Sequence, residues 1–275
     1  WPIPARVAMV RVLTTDVAPG VLGAELDDGA TKTNLAFGYL LPEVLAALDA
    51  AYRESMQATT VAALGGLLAV VSLGREARET LGGLNVAAVR QVVETVFGLW
   101  SSVVPGVYGQ ARETLTTVLE VAAIKATAMP EWACEHESLM DELLAVTSAL
   151  PWIGRGKPEA LSAVVPHVGI DAVLAAEPEA MKRLFALACE ANAPCGPSNA
   201  FVALAKARGT SEGCEAAWML PLVEGLATTP AARRDNVIMR IVRPLVNKQP
   251  QVLARMLALA QQHDRYAEDW AAAEV

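Results

Sequence analysis

ALPWIGRGKPEALSAVVPHVGIDAVL, residues Ala149–Leu174, stands between two long helical blocks and decides how the chain is read. Pro151 cannot continue the helix before it and biases Leu150 away from the α region. Gly154 and Gly156 allow a tight reversal. Pro158 suits the first residue of a new helix, where a missing N–H costs nothing. Leu161, Val164 and Val165 give that helix its apolar stripe, and Gly169 is placed to close it with a left-handed cap. The spacing predicts helix, turn, helix, which is the unit of a helical repeat array.

The same pattern extends in both directions. On the N-terminal side a first helix is expected over Ala5–Leu13, with Val7, Val10 and Leu13 inward. Thr14–Gly23 reads as a short helical piece broken by Pro19-Gly20, and the polar run Ala24–Thr33 as a loop. Helix resumes at Pro42 with Val44, Leu45, Leu48 and Tyr52 on one face, and again over Thr59–Leu73. Asn85 caps the cleanest helix, in which Val89, Val92, Val93, Val96, Phe97 and Trp100 follow i, i+3, i+4, i+7, i+8, i+11. Gln110–Ala126 is its expected partner, with Leu115, Val118, Leu119 and Ala122 inward. A helix opening at Pro130 carries Leu139, Leu143, Val146 and Leu150.

Beyond Gly169, Met181, Leu184, Phe185 and Ala188 mark another stripe, and Pro194, Gly196 and Pro197 read as a firm break. Short helices are expected at Asn199–Arg208 and Glu215–Leu226. Arg234–Val246 should turn Val237, Ile238, Ile241, Val242 and Leu245 inward. Pro250 opens a last helix, with Val252, Met256 and Leu259 inward and fraying after His263. No strand block is expected. Helix pairs recur roughly every 40 residues, the period of HEAT or armadillo units. The expected fold is all-α, a single α-solenoid segment over 1–275 with repeat blocks at about 1–150 and 151–275.

Composition agrees with helices. Apolar residues make up 53% of the chain but aromatics only 5%, so the apolar mass is mostly Ala, Val and Leu. Ala and Leu are strong helix formers. The chain begins at Trp1 with no basic, apolar leader, so no signal peptide is expected, and the sequence reads as a fragment of a longer protein. Ser55–Gly74 carries no charge over nearly the length of a membrane span, but Thr59, Thr60, Ser72 and Gly65-Gly66 interrupt it, and a buried helix is expected rather than a span. Cys134, Cys189, Cys195 and Cys214 form no paired framework, which suits a reducing compartment.

Sites for chemistry are sparse. Cys134-Glu135-His136 is half of a metal site with no second half at zinc spacing, so no metal is expected. His136, His167 and His263 have no Asp, Ser or Cys at a recognised catalytic spacing. Gly154-Arg155-Gly156-Lys157 lacks the spacing and following hydroxyl of a phosphate loop. No catalytic residue and no cofactor are therefore expected. Two basic features stand out against a net charge of −8. Arg155 and Lys157 are expected to project from the central turn. Arg233, Arg234, Arg240, Arg243, Lys248 and Arg255 cluster against one acid, Asp235, and Arg240 and Arg243 share a helix side. Such a strip could meet phosphates or a protein partner. An ordinary charged helix face is the plainer reading. Trp132, Trp152 and Trp218 could stack on bases, with packing anchors as the alternative.

Several stretches resemble, in order, the thyroid adenoma-associated protein family. They are Ala5–Leu26, Leu40–Ser55, Leu150–Ala175 with Trp152, Gly156, Lys157, Leu161, Gly169 and Leu174, and Trp218–Leu226. Fungal members of that family are regulatory subunits of an FtsJ-type tRNA 2′-O-ribose methyltransferase. The Arg-Arg-Ser-Ala-Gly-type block of the family's later domain is absent, so the resemblance places this chain in the solenoid that precedes it. It implies a non-catalytic cytoplasmic HEAT/armadillo scaffold that binds the methyltransferase and presents the tRNA anticodon loop for methylation at position 32. The catalytic residues would then belong to the partner. An adaptor unrelated to tRNA, of the transport-receptor or tubulin-folding type, would carry the same helical pattern.

Overall fold

The computed structural model describes residues 1–27, 32–76, 78–100, 102, 104, 106–190, 193–209, 216–247 and 250–273. Cys214 and Lys248 lie outside the described residues. Among the described residues the chain is all-α apart from one pair of short antiparallel strands, and it divides into two compact units, Trp1–Ala145 and Val146–Val275.

In the first unit, α1 (Ile3–Asp16) runs past Leu13 and buries Val7 and Val10. Pro19-Gly20 does not break a helix. It opens one, α2 (Pro19–Leu22), because a proline in the first turn loses no bond. The stretch expected as a loop contains antiparallel strands β1 (Glu25–Asp27) and β2 (Lys32–Asn34), with Leu26 opposite Thr33. Asn34 is buried, and its Oδ1 accepts from the Phe37 amide at 2.8 Å, starting the next helix. That segment opens as a π-turn over Leu35–Leu40 and continues as α3 (Leu41–Arg53).

Next come α4 (Gln57–Glu76), a 3₁₀ turn at Arg78–Gly83, α5 (Val86–Leu99) and α6 (Val107–Ala128). The Asn85 side chain caps α5 by accepting from the Ala88 amide at 2.8 Å. Val89, Val92, Val93, Val96 and Trp100 are buried as the period requires, while Phe97 is half-buried. A 3₁₀ turn at Pro130–Trp132 leads into α7 (Ala133–Ala149), within which the first unit ends.

Three residues join α3 to α4, and the two helices pack as a hairpin. α5 and α6 form a second hairpin. The hairpins stack first helix on first helix, α3 on α5, and second on second, α4 on α6. The α4–α6 contact is close enough that a methyl group at Gly74 would overlap Val121. α1 lies against α3 and α4. The stretches Leu35–Arg53 and Gln57–Glu76 are each long and apolar enough to cross a membrane, and half of each apolar window is buried inside the fold.

In the second unit, Val146 is 48% exposed and Thr147 takes the inward position expected of Val146. Gly154 turns the chain at φ 109°, and α8 (Gly156–Val168) begins two residues before Pro158. Gly169 ends α8 at φ 84°, ψ 151°. That is positive φ, but it is not the helical left-handed cap, so α9 (Ile170–Ala176) departs in an extended step. α10 (Ala180–Ala188) buries Met181, Leu184, Phe185 and Ala188.

The helix break expected across Pro194–Pro197 ends at Pro194, and Gly196 and Pro197 already belong to the next helix. Pro194 precedes α11 (Cys195–Arg208), and Pro197 sits in its first turn, where no N–H is missed. α12 (Ala216–Thr228) buries Trp218, whose indole Nε1 donates to the Gly209 carbonyl at 3.1 Å.

The segment expected as one helix to Val246 is α13 (Ala231–Val237), a π-turn over Ile238–Val242, and α14 (Arg243–Val246). Val237, Ile241, Val242 and Leu245 point inward, whereas Ile238 is 39% exposed. α15 (Pro250–Ala273) buries Val252 and Met256, leaves Leu259 half-buried, and stays helical past His263. α10 packs on α11 and on α12, while the π-turn and α14 pack on α11. α8 also lies against α11, and α15 against α12 and α14.

Both π-turns share a cause. Pro42 and Pro244 have no N–H to reach the carbonyl four residues back, and their rings crowd it. The residue just before each proline bonds five back instead, Leu41 to Ala36 and Arg243 to Ile238, which widens the turn.

Candidate functional site

The candidate basic residues end in different places. Lys157 does not project from the central turn. It is 3% exposed. Its Nζ donates to the Ser148 carbonyl at 2.8 Å, pairs with the Glu177 carboxylate, and lies 4.8 Å from the Trp152 ring centroid. A buried ammonium needs such partners. Arg155 is exposed on the turn just before α8.

Arg233 and Arg240 converge on one stretch. Arg233 Nη1 donates to the Cys189 carbonyl at 3.2 Å, and Arg240 Nη1 to the Ala193 carbonyl at 2.9 Å. Cys189 follows the last turn of α10, where carbonyls lack helical partners and attract cations. Arg234 turns away and donates to the Thr229 carbonyl at 3.1 Å. Arg243 is exposed on α14. The structure therefore brings Arg233 and Arg240 to the end of α10 and takes Arg234 elsewhere.

Arg155 reaches the same neighbourhood. A cleft of about 590 Å³ is bounded by Trp152, Ile153, Arg155, Arg183, Glu190 and Pro194, among others. Arg183 holds its guanidinium carbon 5.6 Å from the Trp152 ring centroid. No pattern along the chain marks Arg183. It lies off the apolar stripe of α10, and its aromatic partner is far away along the chain. Ile153, at the tip of the turn, is 92% exposed.

Of the three candidate tryptophans, Trp218 is wholly buried and Trp132 nearly so, and Trp152 borders the cleft. Lys125 stands 5.1 Å over Trp132 and donates to the Leu84 carbonyl, and burial holds its ammonium pKa below the ordinary lysine value. His136 lies 5.9 Å from the Trp132 ring, its Nε2 is buried without a hydrogen-bond partner, and burial lowers its pKa. Cys134 beside it is exposed. Among the described residues no three His, Cys, Asp or Glu side chains stand together as metal ligands.

A second groove, about 570 Å³, lies between α12, the second π-turn and α15. Its lining is apolar, with Leu253 and Leu257 41% and 56% exposed, and Arg234 at one side. Comparison with protein-family models, with curated proteins and with solved structures found no match.

Proposed function

We propose that this chain is a non-catalytic helical-repeat scaffold in which stacked hairpins hold binding surfaces for partners. One observation carries the reading. In the first unit consecutive hairpins stack first helix on first and second on second, α3 on α5 with α4 on α6, and in the second unit α10 packs on α12 while α11 packs on the π-turn and α14. That is how HEAT and armadillo units propagate, each burying its face on the next.

The partner class proposed is an FtsJ-type tRNA 2′-O-ribose methyltransferase together with its tRNA, in the cytoplasm. The resemblance to the thyroid adenoma-associated protein family supports it, as does the gathering of Arg155, Arg183, Arg233 and Arg240 in a chain of net charge −8. The test is reconstitution. Methyltransferase and unmodified tRNA are incubated with and without the chain, and anticodon-loop 2′-O-methylation is read by mass spectrometry. Methylation should rise when the chain is added, and an unchanged yield at saturating chain would overturn the proposal. A second reading, a protein adaptor unrelated to tRNA, draws on the apolar groove that exposes Leu253 and Leu257.

A further inference from the structure

We propose that the cleft over Trp152 docks an acidic segment of a protein partner, anchored by one aliphatic side chain. The inference rests on the scaffold reading and adds the chemistry of what the scaffold holds. The cleft combines apolar and basic side chains. Trp152, Ile153, Leu187 and Pro194 contribute its apolar surface. Arg155 and Arg183 line it too, and Arg233 and Arg240 are hydrogen-bonded to Cys189 and Ala193, which adjoin the lining residues Glu190 and Pro194. One carboxylate, Glu190, lines the cleft.

Two features separate this site from a phosphate track. First, the lining cations Arg155 and Arg183 share one cleft with the apolar side chains of Trp152, Ile153, Leu187 and Pro194, which suits carboxylates flanking an inserted aliphatic side chain rather than an extended nucleic-acid backbone. Second, Ile153 is almost wholly in water, although a β-branched apolar side chain gains by burial. Its place at the mouth supplies an apolar contact that only an occupant completes. Arg233 and Arg240 each commit one donor to a backbone carbonyl, and Arg183 rests on an indole, so these guanidinium groups are held in place before binding. Preorganised cations lose less entropy on meeting carboxylates.

The probe is a fluorescein-labelled peptide of alternating Glu and Leu, titrated against the full chain by fluorescence anisotropy, with Glu→Lys and Leu→Ser peptides as controls. Arg183→Glu and Ile153→Ser should each weaken binding by about tenfold, the scale of a central interface residue. Lys182→Glu makes the same charge change one residue away on an exposed side chain paired with Glu179. It should change affinity by less than about twofold, as a rim charge does. Melting curves of Ile153→Ser check that the fold is intact.

Equal effects of Arg183→Glu and Lys182→Glu would overturn the site, because bulk charge would then explain binding. Binding of labelled tRNA that is lost on Arg183→Glu, with no peptide binding, would assign the cleft to RNA and overturn the inference while leaving the scaffold reading in place. Peptide binding with methylation unaffected by the chain would do the reverse.

Discussion

Lys157 shows how far one residue's neighbours decide its role. In a glycine-rich turn a lysine reads as a projecting charge, yet here the stem is buried and the ammonium is held by the Ser148 carbonyl and Glu177. Removing one member of such a pair leaves the other charge poorly solvated. Lys157→Ala should destabilise the second unit by about 3 kcal/mol, seen as a lower denaturant midpoint. A loss within experimental error would show that the pair is dispensable. His136 is the residue to follow with pH. Burial lowers its folded pKa below the unfolded value of 6.5, so the unfolded chain binds the proton more readily. Its contribution to stability is full above pH 6.5 and declines as pH falls through 6.5 toward the lower folded value. The melting temperature should therefore fall less between pH 7.5 and pH 5.5 in His136→Gln than in the parent, and equal falls would remove His136 as a cause.

At the scale of elements, close packing of α4 on α6 is the feature most open to test. A methyl group at Gly74 would overlap Val121, so Gly74→Ala should cost about 1–3 kcal/mol as an overpacked contact. Val121→Ala in the same chain should recover part of that loss, measured by thermal unfolding of the single and double variants. Additive losses would mean that the two side chains do not meet.

Helix existence was legible in the sequence wherever the 3.6-residue period was long, as in α5, where Asn85 and the valine stripe gave both the start and the buried face. Positions at element ends were less legible. Pro19, Pro194 and Pro197 looked like breaks, because a proline in a first turn and a proline after a last turn are the same letter. Glu25–Asp27 and Lys32–Asn34 are too short and polar for an alternation to stand out. The candidate site was half legible. Its arginines were conspicuous as charge, but Lys157 and Arg183 take their roles from Glu177 and Trp152, partners distant in sequence that only folding brings near.

At the scale of the whole molecule, the proposed scaffold offers surfaces built on packed helices. Val93→Ala removes two methyl groups from a buried α5 position and should lower the melting temperature of the first unit, at about 1–3 kcal/mol, by the cavity it leaves. Tryptophan-cleft binding should survive that change at temperatures where the chain stays folded, because the cleft is built from residues of the second unit alone. The net charge of −8 would repel tRNA at long range, so any RNA contact must come from the local arginines and weaken steeply with salt. The central proposal is a scaffold role for this chain beside a methyltransferase. The most direct measurement is affinity capture of the protein from its own cell lysate, with mass spectrometry of what co-elutes. The account predicts an FtsJ-type methyltransferase among the captured proteins, retained in the presence of ribonuclease. A reproducible set of partners without that enzyme would contradict it.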